Sequence, residues 1–223
     1  MKNIHLLFAL IFICLSSLQA QEGHKANLGF DISFGVQNNK DGVNNPFAGG
    51  MSLGYEYDIN MFFGIEAGLR GGLFNQSVGY DEGPNISPKG FIPKAAIGET
   101  FNAKDVYKGT FWAPYIAPKI YIPIGYDEKQ DRGRYLYIEN RFSYTRTNLD
   151  MDRIENQAGK KHKYGLQYEI RGGYQYPIDK RWAFNIWVGY NTFDFSKVKP
   201  EAIKFKNATP LQIGFGINYV IKD

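Results

Sequence analysis

Leu211-Gln212-Ile213-Gly214-Phe215-Gly216-Ile217-Asn218-Tyr219-Val220-Ile221 is the stretch that decides the fold. Leu211, Ile213, Phe215, Ile217, Tyr219 and Ile221 share one parity, and Gln212, Gly214, Gly216 and Asn218 hold the other. Successive side chains of a strand point to opposite faces, so this stretch reads as a strand with one apolar and one small or polar face.

Seven earlier stretches repeat the pattern. The first runs from about Ala26 to Gln37, with Leu28, Phe30, Ile32, Phe34 and Val36 on the apolar face. The second, Phe47 to Asp58, sets Met51, Leu53, Tyr55 and Tyr57 against Gly50, Ser52, Gly54 and Glu56. A tight Asp58-Ile59-Asn60 turn leads to the third, where Phe63, Ile65, Ala67, Leu69 and Leu73 alternate with Gly64, Glu66, Gly68, Arg70 and Gly72. The fourth spans Trp112 to Tyr126, the fifth Arg134 to Thr145 and the sixth Tyr164 to Tyr176. A Pro177-Ile178-Asp179-Lys180 turn precedes the seventh, which begins at Trp182. The pattern predicts an all-β fold, an eight-stranded antiparallel up-and-down transmembrane β-barrel with its apolar face outward.

A soluble barrel also alternates, with its apolar face inward. Three features decide against it. Glycine crowds the polar parity, where an eight-stranded barrel has little room for side chains. Connections are short after strands two and six, intermediate after four, and long after three, five and seven. Tyr57, Phe63, Tyr176, Trp182 and Tyr219 all fall at the short-turn end, the arrangement of an interfacial aromatic girdle. Pro114, Pro118 and Pro123 each lack an amide donor, and a closed barrel has no free edge to hide the defect. Strand four is therefore expected to carry a bulge or to project above the membrane, and Asn140 is a polar blemish on the outward face of strand five.

Ahead of the strands, Lys2, an apolar Leu6–Leu15 core and Ser16-Ser17-Leu18-Gln19-Ala20 have the form of an export signal. Cleavage after Ala20 is expected, dividing the chain into a signal over 1–20 and a barrel over 21–223. Its removal takes Lys2, lowering the net charge from +4 to +3, too weak to imply nucleic acid. It also takes the single cysteine, Cys14, which leaves no thiol chemistry.

The strand pattern, the turn asymmetry and the export signal resemble the small outer-membrane β-barrel proteins of Gram-negative bacteria (porin-like or OmpA/OmpX-like). Gln21 after Ala20 is similar to exported proteins of the Bacteroidetes group. The resemblance implies periplasmic termini, loops exposed to the medium, and location in the outer membrane. The C-terminus departs from the usual terminal aromatic, since Ile221-Lys222-Asp223 follows Tyr219.

The inward charges are the first candidate site: acids Asp31, Glu56, Glu66, Glu139 and Glu169, and bases Arg70, Lys119, Arg141 and Arg171. In a narrow lumen an unpaired charge is costly, so these groups are expected to pair. They either seal the interior or line a narrow ion path. Catalysis by an outer-membrane enzyme needs a positioned histidine, and His5, His24 and His162 all lie outside the inward strand positions. Asp150, Asp152 and Glu155 lack the glycine and terminal acid of a calcium loop, so no metal or cofactor is expected. Arg146, Lys160, Lys161 and Lys163 stand at the outer rim, where cations can pair with lipopolysaccharide phosphates. The loop from about Asn75 to Thr110 is the largest external element. A connection of that length is where an extracellular ligand or envelope protein is expected to bind. The function so predicted is structural or surface-loop binding in the envelope, with a narrow porin-like channel as the alternative.

Overall fold

The computed structural model describes residues 23–35, 46–78, 105–149, 162–193 and 209–222. Eight strands are present: β1 Gly23–Phe34, β2 Phe47–Asn60, β3 Phe63–Val78, β4 Asp105–Asp127, β5 Arg132–Leu149, β6 His162–Pro177, β7 Trp182–Asn191 and β8 Leu211–Lys222. Each pairs antiparallel with its sequence neighbour, and β1 pairs with β8, which closes the barrel. Closure satisfies every edge, a requirement for a sheet in hydrocarbon. Among the described residues no helix is long and apolar enough to cross a membrane, which says nothing of a barrel.

The parity read from the sequence is the parity of the walls. Leu53, Leu69, Leu73, Leu166, Val188 and Phe215 are exposed on the outside, whereas Ser52, Glu56, Arg70 and Gln212 are buried within. The inward glycines make room for the side chains opposite. A β-carbon on Gly68 would stand 2.6 Å from the Tyr115 hydroxyl and closer still to the Leu53 carbonyl. Outward Gly172, by contrast, has no protein atom within 4 Å of that position.

Several strand ends differ from the sequence reading. β1 begins at Gly23 and ends at Phe34, so the inward row starts earlier, at Lys25 and Asn27; Val36 and Gln37 lie outside the described residues. β2 runs on to Asn60, whose Oδ1 accepts from the amides of Phe62 (2.8 Å) and Phe63 (2.9 Å). The expected Asp58–Asn60 turn is therefore a Met61-Phe62 turn. β3 continues to Val78 and β4 starts at Asp105, so the ends of the expected 75–110 loop are laddered, Asn75 with Lys108 and Val78 with Asp105. The connection proper, 79–104, lies outside the described residues, as do Phe91 and Phe101. At 23 residues β4 is far longer than the roughly 9–11 needed to cross a bilayer, and Thr110, the outward position just before Trp112, is polar. The β3–β4–β5 ribbon thus extends past the apolar band on the long-loop side.

The prolines of β4 leave their mark on one side only. Pro114 and Pro118 sit in an unbroken ladder with β3, opposite Leu69 and Ile65. On the β5 side the ladder omits Ala113-Pro114 and Ala117-Pro118 without changing register, because the missing amides would have pointed there. A one-residue shift follows between Pro123 and Gly125, a bulge. Asn140, facing Pro118 by that register, has its Oδ1 taken by the Tyr168 hydroxyl at 2.6 Å.

Candidate functional site

The barrel's inward parity collects the charges into one connected network. Arg70 on β3 binds Asp31 on β1 through both Nε (3.0 Å) and Nη2, and its Nη1 lies 4.0 Å from Glu169 on β6. Arg171 on β6 holds Glu169, approaches Glu139 at 3.6 Å and reaches Asp31 at 3.9 Å and Gln212 of β8 at 3.2 Å. Arg141 binds Glu139 through Nε at 2.9 Å and lies 3.7 Å from Glu66 on β3. Lys119 on β4 contacts three carboxylates: Glu66, Glu56 at 2.6 Å and Glu139 at 3.5 Å. Many of these partners sit on strands that are not neighbours in the sheet, so the network crosses the lumen instead of running along its wall. β5 and β6 supply its centre through the register, which sets Glu139 opposite Arg171 and Arg141 opposite Glu169.

Sequence reasoning missed part of the network. Lys25 and Asp58 extend it toward the short-turn end, with Lys25 Nζ 2.6 Å from Asp58 and 3.3 Å from Glu56. Carrying the inward parity of Asp31 and Gly29 two further residues back, through Asn27, finds Lys25. The neutral partners were equally unforeseen. Asn27 Nδ2 donates to Glu56 (2.8 Å) and Glu66 (2.6 Å), while the Tyr115 and Tyr121 hydroxyls donate to Glu66 and Glu56. Each inward base also lies on an aromatic ring: Lys25 on Tyr121 (5.0 Å), Arg70 on Phe111 (4.9 Å), Lys119 on Tyr137 (5.9 Å), Arg141 on Tyr115 (3.8 Å) and Arg171 on Trp187 (4.9 Å). A ring face attracts a desolvated cation and fills the space around it with apolar volume.

Below the network, at the short-turn end, a vestibule of about 480 Å³ is lined by Lys25, Asp58, Tyr121, Tyr135, Arg132 and Gln175 among others. Above it, Phe193 packs on Phe111 (4.9 Å between ring centres) and Phe74 (6.2 Å), all three 2–3% exposed. Phe193 follows β7, and Asn191 Oδ1 and Thr209 N bind its amide (2.8 Å) and carbonyl (3.0 Å), which turns its ring inward. No strand period announces that position.

The other predicted residues fall as follows. Tyr57, Phe63, Tyr176, Trp182 and Tyr219 stand on the outward parity at the short-turn end. Trp182 packs on Tyr219 at 4.7 Å, and the Tyr219 hydroxyl accepts from Arg181 at 3.1 Å. Arg134 lies 5.2 Å over Tyr176, and His24 packs on Tyr57 at 5.2 Å. In the turn below, Asp179 accepts from the amides of Arg181 (2.7 Å) and Trp182 (2.8 Å), which holds its carboxyl below the usual carboxylate range. Arg146 is half-buried on the outward face, its guanidinium 5.4 Å over the Tyr164 ring and its Nε 3.2 Å from Asn148 Oδ1. Lys163 is the register partner of Thr147, and Lys160, Lys161 and the Asp150, Asp152 and Glu155 group lie outside the described residues. Among the described residues no group of His, Cys, Asp or Glu is placed to hold a metal ion.

A closed, eight-stranded antiparallel barrel with an apolar exterior and a charged interior defines a transmembrane barrel of the outer membrane. The sequence matches the outer membrane protein beta-barrel domain over residues 6–220, and the chain belongs to that family. Among solved structures it is similar in fold to the outer membrane protein OprG from Pseudomonas aeruginosa, with 15% identity, a TM-score of 0.53, and coverage of 93% of this chain and 100% of that one. Weaker likenesses are to Neisserial surface protein A (10% identity, TM-score 0.43, 88% and 96% covered) and to Ail, the attachment invasion locus protein of Yersinia pestis, solved with the heparin analogue sucrose octasulfate (17% identity, TM-score 0.39, 90% and 100% covered). No curated protein matches the sequence significantly.

Proposed function

We propose that this barrel is a sealed scaffold of the outer membrane, whose work is done by what it presents outside and not by what it conducts. The observation that carries the reading is the crossing of the lumen by Arg70, Lys119, Arg141 and Arg171, each tied to carboxylates on other walls. An ion path through it requires breaking several buried ion pairs at once, each a multi-kcal/mol step. The aromatic cap of Phe74, Phe111 and Phe193 adds an apolar layer above the charges. In this reading the inward charges stabilise the barrel, and no group performs catalysis.

The exported chain, with 1–20 removed, places its short turns in the periplasm and its long connections in the medium. The ribbon of β3, β4 and β5 carries Val78 and Asp105 past the apolar band, and the 79–104 connection between them is the segment to which we assign a ligand or an envelope protein. Tyr57, Phe63, Tyr176, Trp182 and Tyr219 anchor the periplasmic interface. Arg146, stacked on Tyr164 at the opposite end, is, among the described residues, the rim cation we assign to a lipopolysaccharide phosphate.

Replacing 79–104 by a short Gly-Ser turn between Val78 and Asp105 tests the assignment. A photo-crosslinking residue at position 91 or 101 in intact cells is expected to give a discrete adduct. The shortened barrel is expected to stay heat-modifiable on a gel and silent in a planar bilayer. Steady currents on shortening would make the segment a plug and favour the narrow-channel reading.

A further inference from the structure

Inside the lumen lies a chamber with about 30 Å³ of space for water centres, lined by Asn27, Glu66, Lys119, Glu139, Arg141, Arg171, Asn185 and Trp187 among others. Five polar atoms of these lining residues are buried and make no hydrogen bond within the protein: Asn27 Oδ1, Arg141 Nη1, Arg171 Nη2, Asn185 Oδ1 and Trp187 Nε1. Arg141, Arg171, Trp187 and Asn185 are 2%, 2%, 5% and 7% exposed, so bulk solvent does not serve them. Buried polar groups are nearly always satisfied, and each one left bare costs about 1–3 kcal/mol. Five atoms without a hydrogen bond, on residues that line one space, point to an occupant; Arg171 Nη2 has only its long contact with Asp31, at 3.9 Å.

We propose that the chamber is a built hydration site holding a pair of ordered waters that complete the charge network. Size and chemistry select the occupant together. One water needs roughly 10–15 Å³ of such space, so the chamber takes about two. The atoms to be satisfied are of both kinds: donors on Arg141, Arg171 and Trp187, and acceptors on Asn27 and Asn185. A halide would serve the donors but would face the carboxylates of Glu66 and Glu139. A cation would serve the acceptors but would face Lys119, Arg141 and Arg171. Water donates and accepts without charge, and two molecules together can meet all five atoms. The site explains why two arginines with five donors each fit a lumen whose carboxylates are already shared.

The chain has three tryptophans, Trp112, Trp182 and Trp187, so the indole N–H of Trp187 is a readable probe. With ¹⁵N-tryptophan-labelled protein in nanodiscs, assigned by single Trp→Phe variants, rotating-frame spectra separate dipolar contact with long-lived water from chemical exchange. A dipolar water cross-peak at the Trp187 indole, with no exchange peak, is the expected result. Absence of that cross-peak overturns the proposal. Crystals grown in bromide give the second reading: an anomalous peak within hydrogen-bond reach of Arg141 and Arg171 would make the site a halide site and overturn it equally.

Discussion

Lys119→Met removes a cation that touches three lumen carboxylates while keeping a side chain of similar length. The Nζ lies 2.6 Å from Glu56, closer to Glu66, and 3.5 Å from Glu139, and those side chains are 0%, 3% and 4% exposed. At an effective dielectric constant near 20, one contact at 3.5 Å is worth about 5 kcal/mol before desolvation. The ammonium no longer has to be desolvated in the variant, and Lys25 and Arg141 still face Glu56 and Glu66 at 3.3 and 3.7 Å. Removing one partner of a buried pair costs about 3–5 kcal/mol net, and that is the loss expected here. The folded-to-unfolded ratio then drops by roughly two to three and a half orders of magnitude, at about 1.4 kcal/mol per decade. Urea titration of protein refolded into lipid vesicles, read by the heat-modifiable band and tryptophan emission, measures it. The double variant Lys119→Met/Glu66→Gln should recover part of the loss, because it removes one of the stranded charges. A loss under about 1 kcal/mol, or strict additivity in the double variant, would show that Lys119 holds nothing together and would refute the reasoning.

Gly68→Ala forces a β-carbon against the Leu53 carbonyl and Tyr115, and should cost about 1–3 kcal/mol in the same titration. Gly172→Ala meets open space and should be neutral, or stabilising by about 0.5–1 kcal/mol. Phe193→Ala empties the cap and should cost about 3–5 kcal/mol, yet leave the bilayer silent because the ion pairs below remain. The Asp179 carboxyl should titrate below an ordinary aspartate in a ¹³C NMR series. Its folded pKa is depressed, so its contribution to the turn is present above the unfolded value and fades as pH falls through the folded one. Arg146→Ala should weaken retention of lipopolysaccharide by the purified barrel without altering its gel shift, as native mass spectrometry would show.

Much of this architecture is legible because alternation is a local property. The parity of Leu211 to Ile221 needs no partner to be read, and the same rule places Glu56, Arg70, Glu139 and Arg171 inside. Strand ends are harder. Beyond Trp112 the ribbon leaves the apolar band, so Thr110, at the outward parity of β4, carries no apolar signal and β4 reads seven residues short at its start. At Gly23 to Ala26 the outward row is equally plain, and Lys25 goes unnoticed. The pairing of one wall with another is a matter of closure and shear, which no single strand records. Arg70 with Glu169, Arg171 with Gln212 and the stacking of all five cations on rings therefore emerge only in three dimensions. Phe193 belongs to no strand, and its place is set by hydrogen bonds at Asn191 and Thr209.

Single-channel recording of the refolded full-length barrel in a planar bilayer tests the sealed lumen most directly. Silence, from protein that shows the heat-modifiable band, is the result this account predicts. Steady, reproducible openings that change in size or ion preference when Arg70, Lys119, Arg141 or Arg171 is neutralised would contradict it.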